Sequence, residues 1–332
     1  MPPRPHTSIR LRCALLALMS CVLFFLVPAA ATAASPPFAP DSIWNLPLRP
    51  DAPLSLNSGG YVNWLVNTVA GDKTWINSTG CAVPIYVASS DTPTTRVTLP
   101  SGDYQDPALL HAWSAVPIPA DATPANCGDK DFAVQQTQPD GDIKQWEFWH
   151  ASRQPDGSWI ASWGGAIDDI RTDRGVASPI AWEDPRATNP ALRYSSPQWN
   201  VTASSISMTA GVITAADLRS GHIDHALALA TPDAAKGVWM WPAQRTDGDS
   251  TDPAALPEGA HLRIDPNLDL SRIPMTPLVR MMAVAAQKYG IVLRDTTAGS
   301  ATAFYTQQLS AAANQALVED QLDGEDPNVA LR

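Results

Sequence analysis

The stretch QWEFWHASRQPDGSWIASWGG, residues 145–165, carries one glutamate, one histidine and four tryptophans around a Pro-Asp-Gly turn. These residue types suit chemistry on sugars. A carboxyl group flanked by indoles is desolvated, and desolvation raises its pKa. Cleavage of a glycosidic bond needs such a group as general acid. Glu147, between Trp146 and Phe148, is the leading candidate. The reaction also needs a second carboxylate across the bond. Asp131 upstream or Asp168 downstream would supply it. His150 and His225 would orient these groups or shuttle protons. Trp149, Trp163 and Trp146 would offer flat apolar faces to sugar rings. Each residue also has a plain structural reading. Glu147 can be ion-paired or edge-facing, His225 can be a satisfied core histidine, and the tryptophans can be core.

Strands must position these side chains, and successive strand residues point to opposite faces. PDGD, 139–142, reads as a tight turn centred on Asp140-Gly141. That register places Asp131 opposite His150, Ala133 opposite Phe148 and Gln135 opposite Trp146. PDGS, 155–158, then sets His150 opposite Trp163 and Gln154 opposite Trp159. One face would carry Asp131, Trp146, Phe148, His150, Trp159 and Trp163. The other would carry Phe132, Val134, Glu147, Trp149 and Ile160. Asp131, His150 and Trp163 would form a row across three strands, either a site or a buried hydrogen bond in an aromatic core. A slip of one residue in either turn exchanges faces within a strand pair.

The rest of the chain reads mainly as strand. AVPIYVAS (82–89), DFAVQQT (131–137), KQWEFWHAS (144–152), SWIASWGG (158–165), HALALA (225–230), GVWMWP (237–242), AHLRID (260–265) and GIVLRD (290–295) are separated by turn residues. Three helices are expected. In 59–71, Val62, Leu65, Val66 and Val69 share a face. In 214–221, Thr214 and Asp217 have capping-box spacing. In 276–290, Thr276 caps, Pro277 suits the first turn and Gly290 ends the helix. A further helix is expected near 306–319. The pattern predicts a mainly β fold, a jelly-roll-like β-sandwich with a few packed helices, with a mixed α+β sheet as the alternative.

Residues 1–34 have a basic start, an apolar run at 13–27 and small residues before Ser35, the pattern of a secretory signal peptide. The expected mature chain is one extracellular β-rich domain, 35–332, with a helical C-terminal segment. The formal net charge is −11, and the three arginines of the leader leave the mature chain more acidic still. Such a surface repels nucleic-acid backbones and anionic membranes. Cys81 and Cys127 are the cysteines left after cleavage, and an oxidising compartment predicts a disulfide between them. NST (77–79) and NVT (200–202) match the N-glycosylation pattern.

Other constellations carry less. His222 and His225 are three apart, but in a strand they point to opposite faces and do not chelate. Asp247, Asp249 and Asp252 could offer oxygens to calcium, although a solvated acidic loop is the simpler reading and no resident metal is expected. There is no G-x-S-x-G, Walker loop, H-E-x-x-H or G-x-G-x-x-G, and no cofactor is expected.

DSIWNLPL (41–48), WEFWHAS (146–152), ASWGGAIDD (161–169), GVITAADLRSGHIDHALAL (211–229), WPAQRTDG (241–248), PEGAHLRIDPNLDL (257–270) and QKYGIVLRD (287–295), in this order, resemble a family of secreted bacterial proteins. The resemblance spans most of the mature chain. It implies a single extracellular domain and brings no established reaction or site residues. The residues themselves point to a glycoside hydrolase acting, as a monomer, on an extracellular polysaccharide or cell-wall glycan. The alternatives are a polysaccharide lyase using His150 or His225 with Tyr289 or Tyr305, a non-catalytic glycan-binding module, and a structural secreted domain.

Overall fold

The structure is a computed structural model that describes residues 38–71, 73–103, 105–176, 200–297 and 301–308, with the backbone of 181–182 and 194–195. In chain order the elements are α1 (Ser58–Gly71), β1 (Lys73–Asn77), β2 (Val83–Ala88), β3 (Val97–Thr98), α2 (Pro107–Ala112), β4 (Phe132–Thr137), β5 (Ile143–Trp149), β6 (Ser152–Arg153), β7 (Trp159–Ile160) and β8 (Trp163–Ile167). After the β9–β10 pair (Ala181–Trp182 and Tyr194–Ser195) come α3 (Ala215–Ser220), β11 (Leu227–Thr231), β12 (His261–Leu262), α4 (Pro277–Lys288), β13 (Ile291–Thr296), β14 (Ala301–Tyr305) and β15 (Gln307–Gln308). The expected signal peptide lies outside the described residues. Among the described residues no helix is long and apolar enough to cross a membrane.

The fold is mainly sheet with few helices. One five-stranded sheet has the order β1-β14-β11-β13-β12, and the other has the order β15-β2-β4-β5-β8. Both mix parallel and antiparallel neighbours, and neither is closed. β1 runs parallel to β14, β11 to β13 and β2 to β4, while β4-β5-β8 is antiparallel. The hairpins expected from sequence are present. The parallel pairs join strands far apart in the chain, so no local turn announces them.

The register differs by one residue from the expected one. Phe132 faces Phe148, Ala133 faces Glu147 and Gln135 faces Gln145. Trp149, not His150, faces Trp163, and Arg153 faces Trp159. Both turns explain this. The Gln138 N–H bonds Asp142 O around Pro139-Asp140-Gly141, and the Gln154 N–H bonds Ser158 O around Pro155-Asp156-Gly157. Each loop therefore holds three residues, ending in a glycine at φ 94° or 88°. This is a turn followed by a left-handed glycine bulge, which adds one residue to the two-residue turn. The faces exchange accordingly. Phe132, Val134, Trp146 and Phe148 pack together with Trp113 and Trp159. Ala133 shares its side with Val201, Met208 and Trp149.

The first of these groups is a dense aromatic core. The ring of Phe132 lies 4.9 Å from that of Phe148 and 5.2 Å from that of Trp159. Trp113 and Trp146 are satisfied inside it, donating to Gly165 O and Ala112 O. A second core joins α4 to its sheet through Leu278, Met281, Met282 and Ala285 against Ile76, Ile213 and Leu227. The α4 ends follow the sequence: Thr276 caps Val279 N, Pro277 opens the first turn, and Gly290 follows the end at φ 91°. α3 has its Thr214–Asp217 capping box and ends at left-handed Gly221.

α1 forms where expected but presents another face. Trp64 is buried with Tyr61 and Leu65 against it, while Val62 and Val66 stay exposed. The bulk of the indole decides this orientation over the valine stripe. GVWMWP makes no strand beyond a bridge from Trp239 to Glu258, and only His261 and Leu262 of AHLRID pair as a strand. Residues 307–308 continue from β14 as β15 instead of starting the helix expected near 306–319, the remainder of which lies outside the described residues.

Residues 200–213 form an inner segment between the two larger sheets. It covers the Ala133–Glu147 side of one sheet, and Gly211 O accepts the N–H of Ala228 on β11 of the other. Irregular backbone away from water must find partners, and this segment's serines and threonines provide them. Thr202 Oγ1 accepts the Ile206 N–H and donates to Ile206 O, and Ser204 Oγ donates to Arg294 O. Asn200, the acceptor of the NVT pattern, is 2% exposed and donates to Ser205 O at 2.9 Å.

Candidate functional site

Glu147 is fully buried, and its carboxylate is saturated by the protein. Oε1 accepts from Gln145 Nε2 at 2.8 Å and from Ser207 Oγ; Oε2 accepts the N–H groups of Val201 and Met208, each at 3.1 Å. Burial pushes its pKa up, against those donors and the nearby Arg294. With two donors on each oxygen, no position remains for a glycosidic oxygen. Glu147 is thus a pin between sheet and inner segment, not the acid expected from its indole neighbours.

Two further sequence candidates also have structural posts. Asp168 is exposed and pairs with Lys144 at 2.8 Å. His225 is buried, with Nε2 3.2 Å from Asp217 Oδ2 and Nδ1 2.9 Å from Ala226 O. Both partners accept hydrogen bonds, so both ring nitrogens carry protons. Burial lowers its pKa, but the Asp217 hydrogen bond and charge outweigh that and raise it. Trp146 belongs to the core, and Trp163 is half-buried against the same core. Cys81 and Cys127 come together as free thiols, with the Cys81 thiol hydrogen-bonded to Cys127.

The residues that remain available converge where β4 begins and β13 and β14 end. Trp149 is half-exposed, donates to Asp129 Oδ1 at 3.2 Å and stacks on exposed His150 with ring centroids 4.0 Å apart. His150 leaves the ladder at φ 50°, its N–H donating to Asp129 O. Asp131 sits just before β4. Burial pushes its carboxyl up to about 8, helped by the charges of Asp129 and Cys127 and opposed by Arg294. Tyr305, at the end of β14, shares an apolar cluster with Trp149. Burial drives its hydroxyl pKa up, so it keeps its proton.

Arg294 is the charge at the centre. It is 3% exposed, donates from Nη1 to Met208 O at 2.6 Å and to Ala210 O at 3.2 Å, and lies 4.2 Å from the Tyr305 ring. Its Nε has no hydrogen bond. Leu229 pairs with Leu293 and Ala230 with Asp295, so Arg294 is the extra residue of a bulge. Bulges re-aim side chains and recur beside active sites.

The next residue, Asp295, meets Asp247 and Glu258, with one carboxylate oxygen of each within 4.8 Å of the others. Burial pushes Glu258 up to about 9 and Asp295 up to about 7. Of the residues gathered here, Asp131, Trp149, His150, Tyr305 and Asp247 are candidates on sequence alone, whereas Asp129, Glu258, Arg294 and Asp295 emerge only in the structure. The available signal was the Arg-Asp pair closing the apolar run IVLRD, a charge inside a strand that needs a partner. Asp249 and Asp252, the other residues of the acidic loop, are not in this group; Asp252 instead accepts the Ala254 N–H.

Two surface depressions flank α1, apart from this cluster. One of about 470 Å³ is lined by Asn63, Trp64, Asn67 and Asp252, and one of about 300 Å³ by Tyr61, Lys236 and Asp252. Comparison with protein-family models, curated proteins and solved structures gives no match for this chain.

Proposed function

We propose that the protein is a secreted carbohydrate-active enzyme, a glycoside hydrolase that uses Asp131 as general acid. The observation that carries this reading is the Asp131 carboxyl, pushed up to about 8 at a partly exposed position beside Arg294 and near a half-exposed indole. A carboxyl that keeps its proton near neutral pH can protonate a leaving-group oxygen. Asp129 is the neighbouring carboxylate on the solvent side, suited to act as base or nucleophile. Trp149, with His150 stacked on it, is the surface for a sugar ring. Tyr305 and Arg294 supply a hydroxyl donor and a fixed positive charge, which a lyase acting on uronates would also use. Residues 200–213, packed on the Ala133–Glu147 side of one sheet and hydrogen-bonded to β11 of the other, support reading the two larger sheets as a sandwich-like pair around them.

The test is a reducing-end and unsaturated-product assay of the secreted domain on a polysaccharide panel, with Asp131→Asn and Trp149→Ala. Asp131→Asn should abolish turnover while staying folded, and Trp149→Ala should raise KM. Unsaturated products would move the reading to a lyase, and full activity in Asp131→Asn would refute the assignment. A second reading, a non-catalytic glycan-binding module, is favoured by the larger depression along α1, lined by Asn63, Trp64 and Asn67. It expects glycan binding without products, and loss of that binding in Asn63→Ala with Asn67→Ala.

A further inference from the structure

We propose that Asp247, Glu258 and Asp295 hold one calcium ion that clamps the 247–258 loop to the end of β13. The three carboxylates come from separate points of the chain, and one oxygen of each lies within 4.8 Å of the others. Calcium takes oxygen ligands at about 2.3–2.6 Å, so two ligands on one ion lie at most about 5 Å apart. The spacing fits that limit.

A second observation points the same way. Glu258 is 0% exposed, and its Oε1 has no hydrogen bond although its carboxyl faces into the group. A buried acceptor without a partner is costly. Its other oxygen, Oε2, accepts the Asp247 N–H at 3.2 Å. Arg294, next to Asp295 in the chain, is committed to Met208 O, Ala210 O and the Tyr305 ring.

The surroundings hold the ligands in place. Thr296 Oγ1 lies 3.0 Å from both oxygens of Asp247, and the Asp295 carboxylate accepts the Thr296 N–H at 3.0 Å. The Met240 N–H bonds Glu258 O, and the Gly259 N–H bonds Leu293 O, fixing the turn at 258 against β13. Asp247 is exposed, which leaves a side open for ion entry and for the waters that complete calcium coordination. Magnesium demands a tighter octahedron and dehydrates reluctantly, so calcium is the better fit. This proposal does not depend on the reaction proposed above.

The test is calorimetric titration of chelator-treated full-length mature protein with calcium chloride, and separately with magnesium chloride, alongside thermal unfolding. One calcium per chain should bind and raise Tm with concentration, as mass action requires. Asp247→Asn, at an exposed position, should fold as the wild type does without metal and bind calcium at least about tenfold more weakly. Absence of one-site calcium binding would overturn the proposal. So would unchanged binding in both Asp247→Asn and Asp295→Asn, and magnesium binding as tight as calcium would overturn the choice of ion.

Discussion

Glu147 and Arg294 grip one residue from two sheets: the Met208 N–H donates to Glu147 Oε2 at 3.1 Å, and Met208 O accepts from Arg294 Nη1 at 2.6 Å. The inner segment is therefore held from both sides through the backbone of one residue. Removing either side chain leaves buried hydrogen-bonding groups unpaired. Glu147→Ala should cost about 3–5 kcal/mol in urea unfolding, because it strands several buried donors at about 1–3 kcal/mol each. A double-mutant cycle with Arg294→Ala should give a coupling of about 0.5–3 kcal/mol. Additive losses would mean that Met208 does not transmit between them.

The two three-residue loops make a separate prediction. A Cβ at Gly141 or Gly157 would meet nothing within 4 Å, so only the positive φ opposes a side chain there. Gly141→Ala and Gly157→Ala should each cost about 1–2 kcal/mol. The two losses should add, because separate turns share no partners. Neutral substitutions would argue against a left-handed glycine closing each loop.

The His225–Asp217 pair gives a pH signature. The folded pKa of His225 is raised, so its contribution is complete below about 6.5, the unfolded value. It is lost as pH rises through the folded value. Asp217 is lowered: burial would raise it, but His225 and Thr214 outweigh this. Its contribution is present above the unfolded carboxylate value and lost in acid. The stability gap between wild type and His225→Gln should therefore be widest near pH 5–6 and shrink at higher pH. A gap that grows with pH would reverse the assignment.

Asp131 has the opposite consequence for its own neutral variant. Its folded pKa is pushed up to about 8, chiefly by burial. The wild type then loses stability relative to Asp131→Asn as pH rises from the ordinary carboxylate range through about 8. Chemical denaturation of both proteins at pH values on either side would reveal the crossing trend, and a constant difference would place the titration elsewhere. If the enzyme reading holds, kcat/KM falls over the same upper window as the acid loses its proton.

The paired thiols make a redox prediction. The Cys127 thiol is brought down to about 7, first by the hydrogen bond with Cys81, so it supplies the thiolate. With oxidised glutathione, the two thiols should lose two protons and two electrons to form a disulfide while the glutathione is reduced to two thiols. Intact mass should fall by two hydrogens, and stability should rise by about 4 kcal/mol in the loop-entropy picture. Two thiols still titratable after oxidation would count against this pairing.

Much of the fold is legible in the sequence because its signals are local. The α3 and α4 caps, the β4–β5 hairpin and the β11 and β13 runs all announce themselves through neighbouring residues. What is not legible is non-local or turns on one residue. The parallel β1–β14 and β2–β4 pairs have no turn to mark them. Counting Gly141 as a turn centre instead of a closing bulge shifts the ladder and exchanges the faces of Glu147 and Phe148. The site suffered most from this. Glu147 looks like an acid because its sequence neighbours are aromatic, but its spatial neighbours are hydroxyls and amides from residues 201–209. Arg294, the charge that organises the cluster, comes from a strand that gives no local hint of Asp131.

The depth of Asn200 bears on how this protein can be made. Enzymes that attach glycans to NVT act on the nascent chain before it folds. A sugar tree on Asn200 would then have to fit where 2% of the residue meets solvent and where its amide is needed by Ser205 O. A eukaryotic secretory host would thus derail maturation at this asparagine, whereas export from a cell without that modification leaves it free to close. Recombinant production for any of these measurements belongs in a host of the second kind, or in the first only with the sequon removed at Thr202, whose own hydrogen bonds make that a costly change.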